Sequence, residues 1–475
     1  MNDPEERPAM LAQHIFTAVA DDLARRCRGE LIGPDHADYD AARRVWNGEI
    51  DRRPALIVRC AGTADVQAAV DAARTHGLPL AVRGGGHSAR GHGTCDDGIV
   101  ADLSPMSAVA VDPQARIARA GAGATWGDFD AATQAHGLAV TGGRFSTTGI
   151  AGLTLGSGSG WLERKCGLTA DSLVSAEVVT ADGRVLRAGE EENADLFWGL
   201  RGGSGNFGVV TEFEFRLHEV GPIVYGGLMA STPDRAGRIL RYVRELMADA
   251  PDDLGLAVAF ISAPPEPFVP PEMHFQPLVG VVVCWTGGIV EGEGALATLR
   301  EVAQPVMDMV QPMPYTALQS MLDAGGPHGI HAYMKAEFLD ELSDAAIDEL
   351  VAHGAARPGP FVQLLIEPMG GAIGRVPEDA MALGRRDVPW CYHAISMWMD
   401  PSPEAAAAHV AWTRELAADL VPHTVDGVYL NYTSDEGEER VRASYGAERY
   451  ARLVALKDKY DPGNLFRLNQ NIAPS

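Results

Sequence analysis

Cysteine is scarce and scattered. Six occur in 475 residues, Cys27, Cys60, Cys95, Cys166, Cys284 and Cys391, with no CxxC pair among them. That spacing fits reduced thiols in a cytoplasmic protein and argues against a disulfide framework or a thiolate metal centre. Long apolar runs are missing too: none approaches the roughly 20 residues needed to span a bilayer. The first seven residues are acidic where a secretory signal would be basic and then apolar. Positive charge is also in short supply, with 39 Lys and Arg against 64 Asp and Glu and a formal net charge of −25. Such a field repels polyphosphate and anionic lipid, which argues against nucleic acid and membrane surfaces as partners. His14, His92, His274, His328 and His331 lack HExxH or comparable ligand spacing, so no metal site is expected. With 46% hydrophobic and 22% charged residues, the chain reads as an ordinary globular enzyme or binding protein of two or three domains, a monomer or homodimer.

Glycine is what the sequence has in quantity: 53 residues, concentrated between positions 84 and 208. Around them runs an α/β pattern. Strands are expected at 55–59, 80–83, 98–102 and 115–120, and helices at 65–76 and 126–136. Residues 174–180 and 184–188 read as a hairpin closed by a tight two-residue Asp182-Gly183 turn. Beyond about residue 221 the strands lengthen (278–285, 361–367, 392–399) and alternate with helices at 293–302, 343–353 and 403–420, the texture of a second α+β domain on an antiparallel sheet. A strand at 427–432, a charged loop at 435–440 and a helix at 447–460 complete the chain.

Three glycine motifs compete for chemistry. A literal GxGxxG spans residues 203–208, but a helix precedes it and a strand follows, the reverse of a dinucleotide fingerprint, so the Rossmann reading fails on context. Gly84, Gly85 and Gly86, followed by His87 and Ser88, come straight after a strand, where bare backbone N–H groups can form an anion nest fit for a diphosphate. A glycine-rich turn with a surface histidine is the plain alternative. The stretch 141–152, with Gly142, Gly143, Thr147, Thr148, Gly149 and Gly152, suits backbone lying against a large flat ligand; a packed small-residue turn is the alternative there. Two such loops in one α/β domain favour a bulky phosphorylated cofactor.

The combination of residues 83–88, 149–152, 168–171, 202–211 and 429–432 with 460–464 resembles the berberine-bridge-enzyme-like FAD-linked oxidases of the vanillyl-alcohol oxidase / p-cresol methylhydroxylase superfamily. The resemblance covers nearly the whole chain, most specifically 50–220 and 427–475. It implies an α+β fold: a two-part FAD-binding domain of the p-cresol methylhydroxylase type, from residues 1–222 and 427–475, with an α+β substrate domain on an antiparallel sheet inserted at 223–426. It implies FAD bonded through His87 to the flavin 8α-methyl carbon, a tether that raises the flavin potential. The cofactor would be held by Arg83, Gly84, Gly85, Gly86, Ser88, Gly142, Gly143, Thr147, Thr148, Gly149, Gly152, Val209 and Asn431. Many relatives add a cysteinyl link; Phe145 stands at that position here, so a single tether is expected, and Cys166 reads as a buried thiol.

The resemblance further implies hydride transfer from a small organic substrate to flavin N5, with reoxidation by O2 to hydrogen peroxide. Thr148 stands where oxygen approaches. Tyr432 stands where relatives place the residue that deprotonates the substrate, a role that needs a neighbour to lower its pKa. On an extended strand Tyr429 and Tyr432, three residues apart, would face opposite ways. His393 matches a Gln or Glu position over the flavin in relatives, and Glu367 shares a strand face with Gln363 and Leu365. For both, ordinary solvent-facing sheet residues are the alternative. Two other outcomes stay open: an oxygenase working through a flavin–oxygen adduct in secondary-metabolite tailoring, and a dehydrogenase with an acceptor other than O2.

Overall fold

The computed structural model describes residues 6–475 apart from Phe268, Asp435 and Glu436, with side chains from Phe16 onward. The extreme amino terminus, the His14 side chain and the first two positions of the expected 435–440 loop lie outside the described residues.

Short apolar runs separated by an amphipathic helix build the first layer. Leu56–Arg59 and Leu80–Arg83 lie parallel on either side of Ile99–Asp102, and Leu31–Ile32 adds an antiparallel edge. The crossover helix Thr63–His76 turns Val66, Ala69, Val70 and Ala73 inward and stops at Gly77, whose φ of +66° ends the last turn. Register places Arg59 and Arg83 on either side of Asp102 at the carboxyl ends of the strands. In open α/β sheets that is the edge where ligands bind.

A second sheet is antiparallel, in the order Val109–Asp112, Ile117–Gly121, Val209–Arg216, Leu173–Val179, Val185–Gly189. Its last hairpin differs from expectation. Thr180 N–H bonds Arg184 O at 3.0 Å, enclosing three residues, and only Gly183 takes positive φ, at +81°. The turn is therefore the three-residue kind with glycine at the left-handed position.

The third sheet has nine strands, all paired antiparallel, with Gln363–Pro368 and Trp390–Trp398 at its centre. Apolar residues on one face pack under the helices Ala236–Ala248, Ile289–Ala303, Asp344–Ala355 and Pro403–Leu420. The opposite face, with Leu365, Ile395 and Met397, packs on Trp46 and Ala89 of the first domain.

The two ends of the chain meet through side chains. Lys457, on the helix Ala447–Tyr460, is fully buried; its Nζ donates to Asp461 at 2.7 Å, Asn206 O at 2.9 Å and Phe466 O at 2.8 Å. Asp461 in turn accepts the N–H groups of Leu465 and Phe466. Asn206 bonds the backbone of Gln470 and Ile472. The glycine loop 202–208 is thus braced by the last twenty residues. Residues 437–440, expected in a loop, begin the helix Gly437–Tyr445, because Val441, Ser444 and Tyr445 are buried and Arg440 pairs with the buried Glu337.

Candidate active site

A cleft of about 1320 Å³, partly open to solvent, runs along the carboxyl edge of the first sheet. Three glycine loops line it: Gly84, Gly85 and Gly86; Gly149 and Gly152; and Gly205 and Gly208. Leu430, Asn431, Thr433, Asn469 and Gln470, from the chain's far end, close it. The loops touch backbone to backbone: a Cβ on Gly85 would lie 2.3 Å from Gly149 N. A Cβ on Gly152 or Gly205 would meet nothing within 4 Å. Among the described residues, the N–H groups of residues 84–88 carry no hydrogen bond, and the buried Oδ1 of Asn469 has no partner. Free donors on a glycine nest beside an elongated cleft suit a dinucleotide diphosphate, and the unfilled space at Gly152 and Gly205 suits its flat rings. The residues present fit FAD.

His87 stands at the cleft wall. Its ring stacks on Trp46 with centroids 5.4 Å apart and meets His328 edge-on at 5.5 Å; Nε2 and Thr147 Oγ1 are 2.9 Å apart. Burial, reinforced by His328, lowers its pKa to about 3, so the imidazole is uncharged at neutral pH.

Behind residues 430–433 lies a cluster of buried polar side chains. Arg144 Nη2 is 3.0 Å from Glu367 Oε1 and 3.7 Å from Glu163 Oε1, and Nη1 donates to Ser159 Oγ at 2.9 Å. The guanidinium also lies over Trp161, 4.9 Å from the ring centroid. His393 Nε2 is 2.8 Å from Glu367 Oε2, and among the described residues His393 Nδ1 has no hydrogen-bond partner. The His393 ring meets that of Tyr432 edge-on at 4.5 Å. Burial pushes Tyr432 up; the nearby charge of Arg144 pulls it down, and Glu367 pushes it up again, leaving it above the ordinary phenol value. Burial would raise Glu367, but Arg144 and His393 hold it below the ordinary carboxylate range. Glu163 is raised to about 7 by burial, which outweighs the opposing pull of Arg144.

The anticipated residues divide into three groups. His87, Gly84, Gly85, Gly86, Ser88, Thr148, Gly149, Gly152, Val209 and Asn431 line the cleft. Arg83 lines it too, but its guanidinium is occupied by Asp102 at 2.7 Å and by Ala42 O, so it braces the wall. Thr147 reaches the cleft through His87. Gly142 and Gly143 do not line it; they pack against Trp126, and Gly143 O accepts from Gln319. Phe145 rests on Gly326 and offers no nucleophile for a second link. Tyr432, His393 and Glu367 meet in the polar cluster.

The alternative of solvent-facing sheet residues fails for Glu367 and His393: each is 1% exposed, because this sheet face packs on the first domain. One expectation requires correction. Tyr429 and Tyr432 do not point apart; their rings stack at 5.9 Å. The strand Thr424–Val428 ends early and Leu430–Tyr432 forms a 3₁₀ turn, in which residues three apart eclipse. Sequence reading missed Arg144 and Glu163, although a lone arginine inside an otherwise uncharged glycine stretch was a visible signal. It also missed His92, which lines the cleft. Glu349, His353 and Asp419 bring three ligand atoms within 4.8 Å of one another on the helical layer, with both carboxylates exposed. No helix among the described residues is long and apolar enough to cross a membrane.

This fold and cleft define a flavoprotein oxidoreductase with a cofactor domain drawn from both ends of the chain. Residues 54–189 match the FAD binding domain family, and residues 428–473 match the berberine and berberine-like family. The (R)-6-hydroxynicotine oxidase of Paenarthrobacter nicotinovorans is 32% identical, over 94% of this chain and 97% of its own. An FAD-linked oxidoreductase of Dictyostelium discoideum is 30% identical, over 96% of this chain and 97% of its own. The crystal structure of 6-hydroxy-D-nicotine oxidase from Arthrobacter nicotinovorans superposes with a TM-score of 0.85 at 30% identity, covering 94% of this chain and 98% of that one. Xylooligosaccharide oxidase from Myceliophthora thermophila shares the fold, with a TM-score of 0.83 at 22% identity, covering 96% of this chain and 99% of that one. The chain belongs to the berberine-bridge-enzyme-like FAD-linked oxidoreductases.

Proposed function

We propose that the protein is an oxidase that carries one covalent link to FAD, through His87, and oxidises a small organic amine or alcohol. FAD, when bound, supplies the hydride acceptor and passes the electrons to O2, which leaves as hydrogen peroxide. The observation that carries this reading is the pairing, across residues 430–433, of the glycine cleft with a buried acid–base cluster. His87 is uncharged, so its ring nitrogen keeps the lone pair that a bond to carbon requires, and Trp46 and Thr147 fix the ring. Tyr432 receives the substrate proton against the charge of Arg144, with the His393–Glu367 pair beside it. Thr148 lines the cleft where O2 would approach. The six free cysteines support a cytoplasmic setting.

The test is aerobic turnover of the holoenzyme with a panel of amines and alcohols headed by 6-hydroxynicotine, scored by flavin bleaching and peroxide yield. One peroxide per substrate oxidised is expected. Label from heavy O2 appearing in the organic product would instead establish an oxygenase. Bleaching without peroxide, coupled to an added acceptor, would establish a dehydrogenase.

A further inference from the structure

We propose that Arg144, clamped between the carboxylates of Glu163 and Glu367, is the positioning residue for Tyr432, and that Glu163 sets how much of its charge the phenol receives. The inference rests on the reading of Tyr432 as the residue that takes the substrate proton, and assigns roles to two side chains which that reading leaves without one.

A phenol takes a proton only from its ionised form, and burial opposes that form. Tyr432 is half-buried, its ring edge-on to that of His393 at 4.5 Å and beside the Glu367 that Arg144 meets at 3.0 Å, so a cation held still next to it favours the ionised phenol. Arg144 is that cation. It is 4% exposed and fixed on several sides at once, by Ser159, Glu367, Glu163 and the Trp161 ring. A guanidinium so restrained cannot swing away when the phenol changes charge, which is the preorganisation an acid–base site needs.

The two carboxylates are not equivalent. Glu367 is the nearer to Arg144, at 3.0 Å against 3.7 Å, and also contacts His393. Glu163 has Arg144 as its cationic contact, and its Oε2 accepts the Gly160 N–H at 3.1 Å. It is raised to about 7, so its charge changes within the physiological range. When Glu163 is neutral, Arg144 answers to Glu367 and Tyr432 alone, and the phenol ionises more readily. When Glu163 is ionised, part of that positive charge is cancelled and the phenol holds its proton. The groups facing Tyr432 are Arg144 from the glycine stretch, Glu163 from the helix Glu163–Cys166, Glu367 and His393 from the sheet, and Tyr429 from its own turn. Cys391 also sits in the field of Arg144, Glu367 and Glu163.

The experiment is a pH titration of tyrosinate absorbance in the holoenzyme, with the Tyr432→Phe holoenzyme subtracted to isolate this phenol. Glu163→Gln should lower the midpoint by about one pH unit, and Arg144→Gln should raise it by about 1–3 units. Arg144→Lys should recover part of that rise, since it keeps the charge but loses the planar fork. A midpoint that stays put or rises in Glu163→Gln overturns the role of Glu163; one unmoved in Arg144→Gln overturns that of Arg144. Should Arg144→Gln fail to fold, a midpoint in Arg144→Lys equal to the parent's overturns the Arg144 assignment, and a raised one supports it. The underlying reading fails separately: if Tyr432→Phe bleaches its flavin as fast as the parent with the substrate found in the panel above, Tyr432 is not the proton acceptor, whatever the titration shows.

Discussion

The cleft and the cluster beside it are built from opposite materials. The cleft is backbone: glycine loops touching at distances where a Cβ would collide, with free N–H groups facing the space between. The cluster is side chain: ionisable groups from four separate segments buried against one another. The first gains shape by omitting atoms, and the second gains chemistry by burying groups that water would otherwise hold. Substitutions should therefore damage them differently. Adding a methyl should injure the cleft through sterics, whereas removing a charge should injure the cluster through uncompensated burial.

The largest effect is expected in the cluster. Arg144→Ala leaves two carboxylates without their shared cation and should cost about 3–5 kcal/mol in urea unfolding. In the cleft, Gly85→Ala drives a Cβ to within 2.3 Å of Gly149 N and should cost about 1–3 kcal/mol. Equal losses at both positions, or a larger one at Gly85, would break the distinction.

Asp130 sharpens it from a third place. It is buried on the helix Trp126–Gln134, with Gln319 as its hydrogen-bond donor and no cation in contact among the described residues. Burial raises it from 3.8 to about 7. A carboxyl that binds its proton more tightly when folded lends stability that is fully present below the ordinary carboxylate range. That stability is lost as pH rises from 3.8 to about 7. Asp130→Asn should therefore overtake the parent progressively across that window, by about 1–3 kcal/mol above it. A difference independent of pH would show that the group does not titrate there. The smallest effect on stability belongs to Gly152→Ala, whose Cβ meets no protein atom within 4 Å. Unfolding should change by no more than about 0.5 kcal/mol, while the flavin content of the purified protein falls.

Much of the architecture was legible from periodicity and punctuation. The strand Leu80–Arg83 and the helices Pro403–Leu420 and Ala447–Tyr460 have the expected limits, because their patterns are long or end at glycine or proline. The failures are instructive. The segment 427–432 is apolar enough to be a strand, but its contacts with the glycine loops coil it into a turn that stacks two tyrosines. The GxGxxG at 203–208 follows a helix and precedes a strand, so it is no Rossmann motif, yet Ser204, Gly205 and Gly208 still line the cleft, since backbone approach needs glycine whatever the topology. Arg144 and Glu163 could not be paired from sequence, because their meeting depends on a sheet strand more than two hundred residues away that carries Glu367. Local pattern showed the cleft; the cluster exists only in the tertiary fold.

The covalent link to FAD requires His87. Acid precipitation of the purified holoprotein, followed by washing in denaturant, tests it directly. The pellet should stay yellow, and that of His87→Ala should be colourless with free FAD in the supernatant. A colourless parent pellet would contradict the covalent assignment.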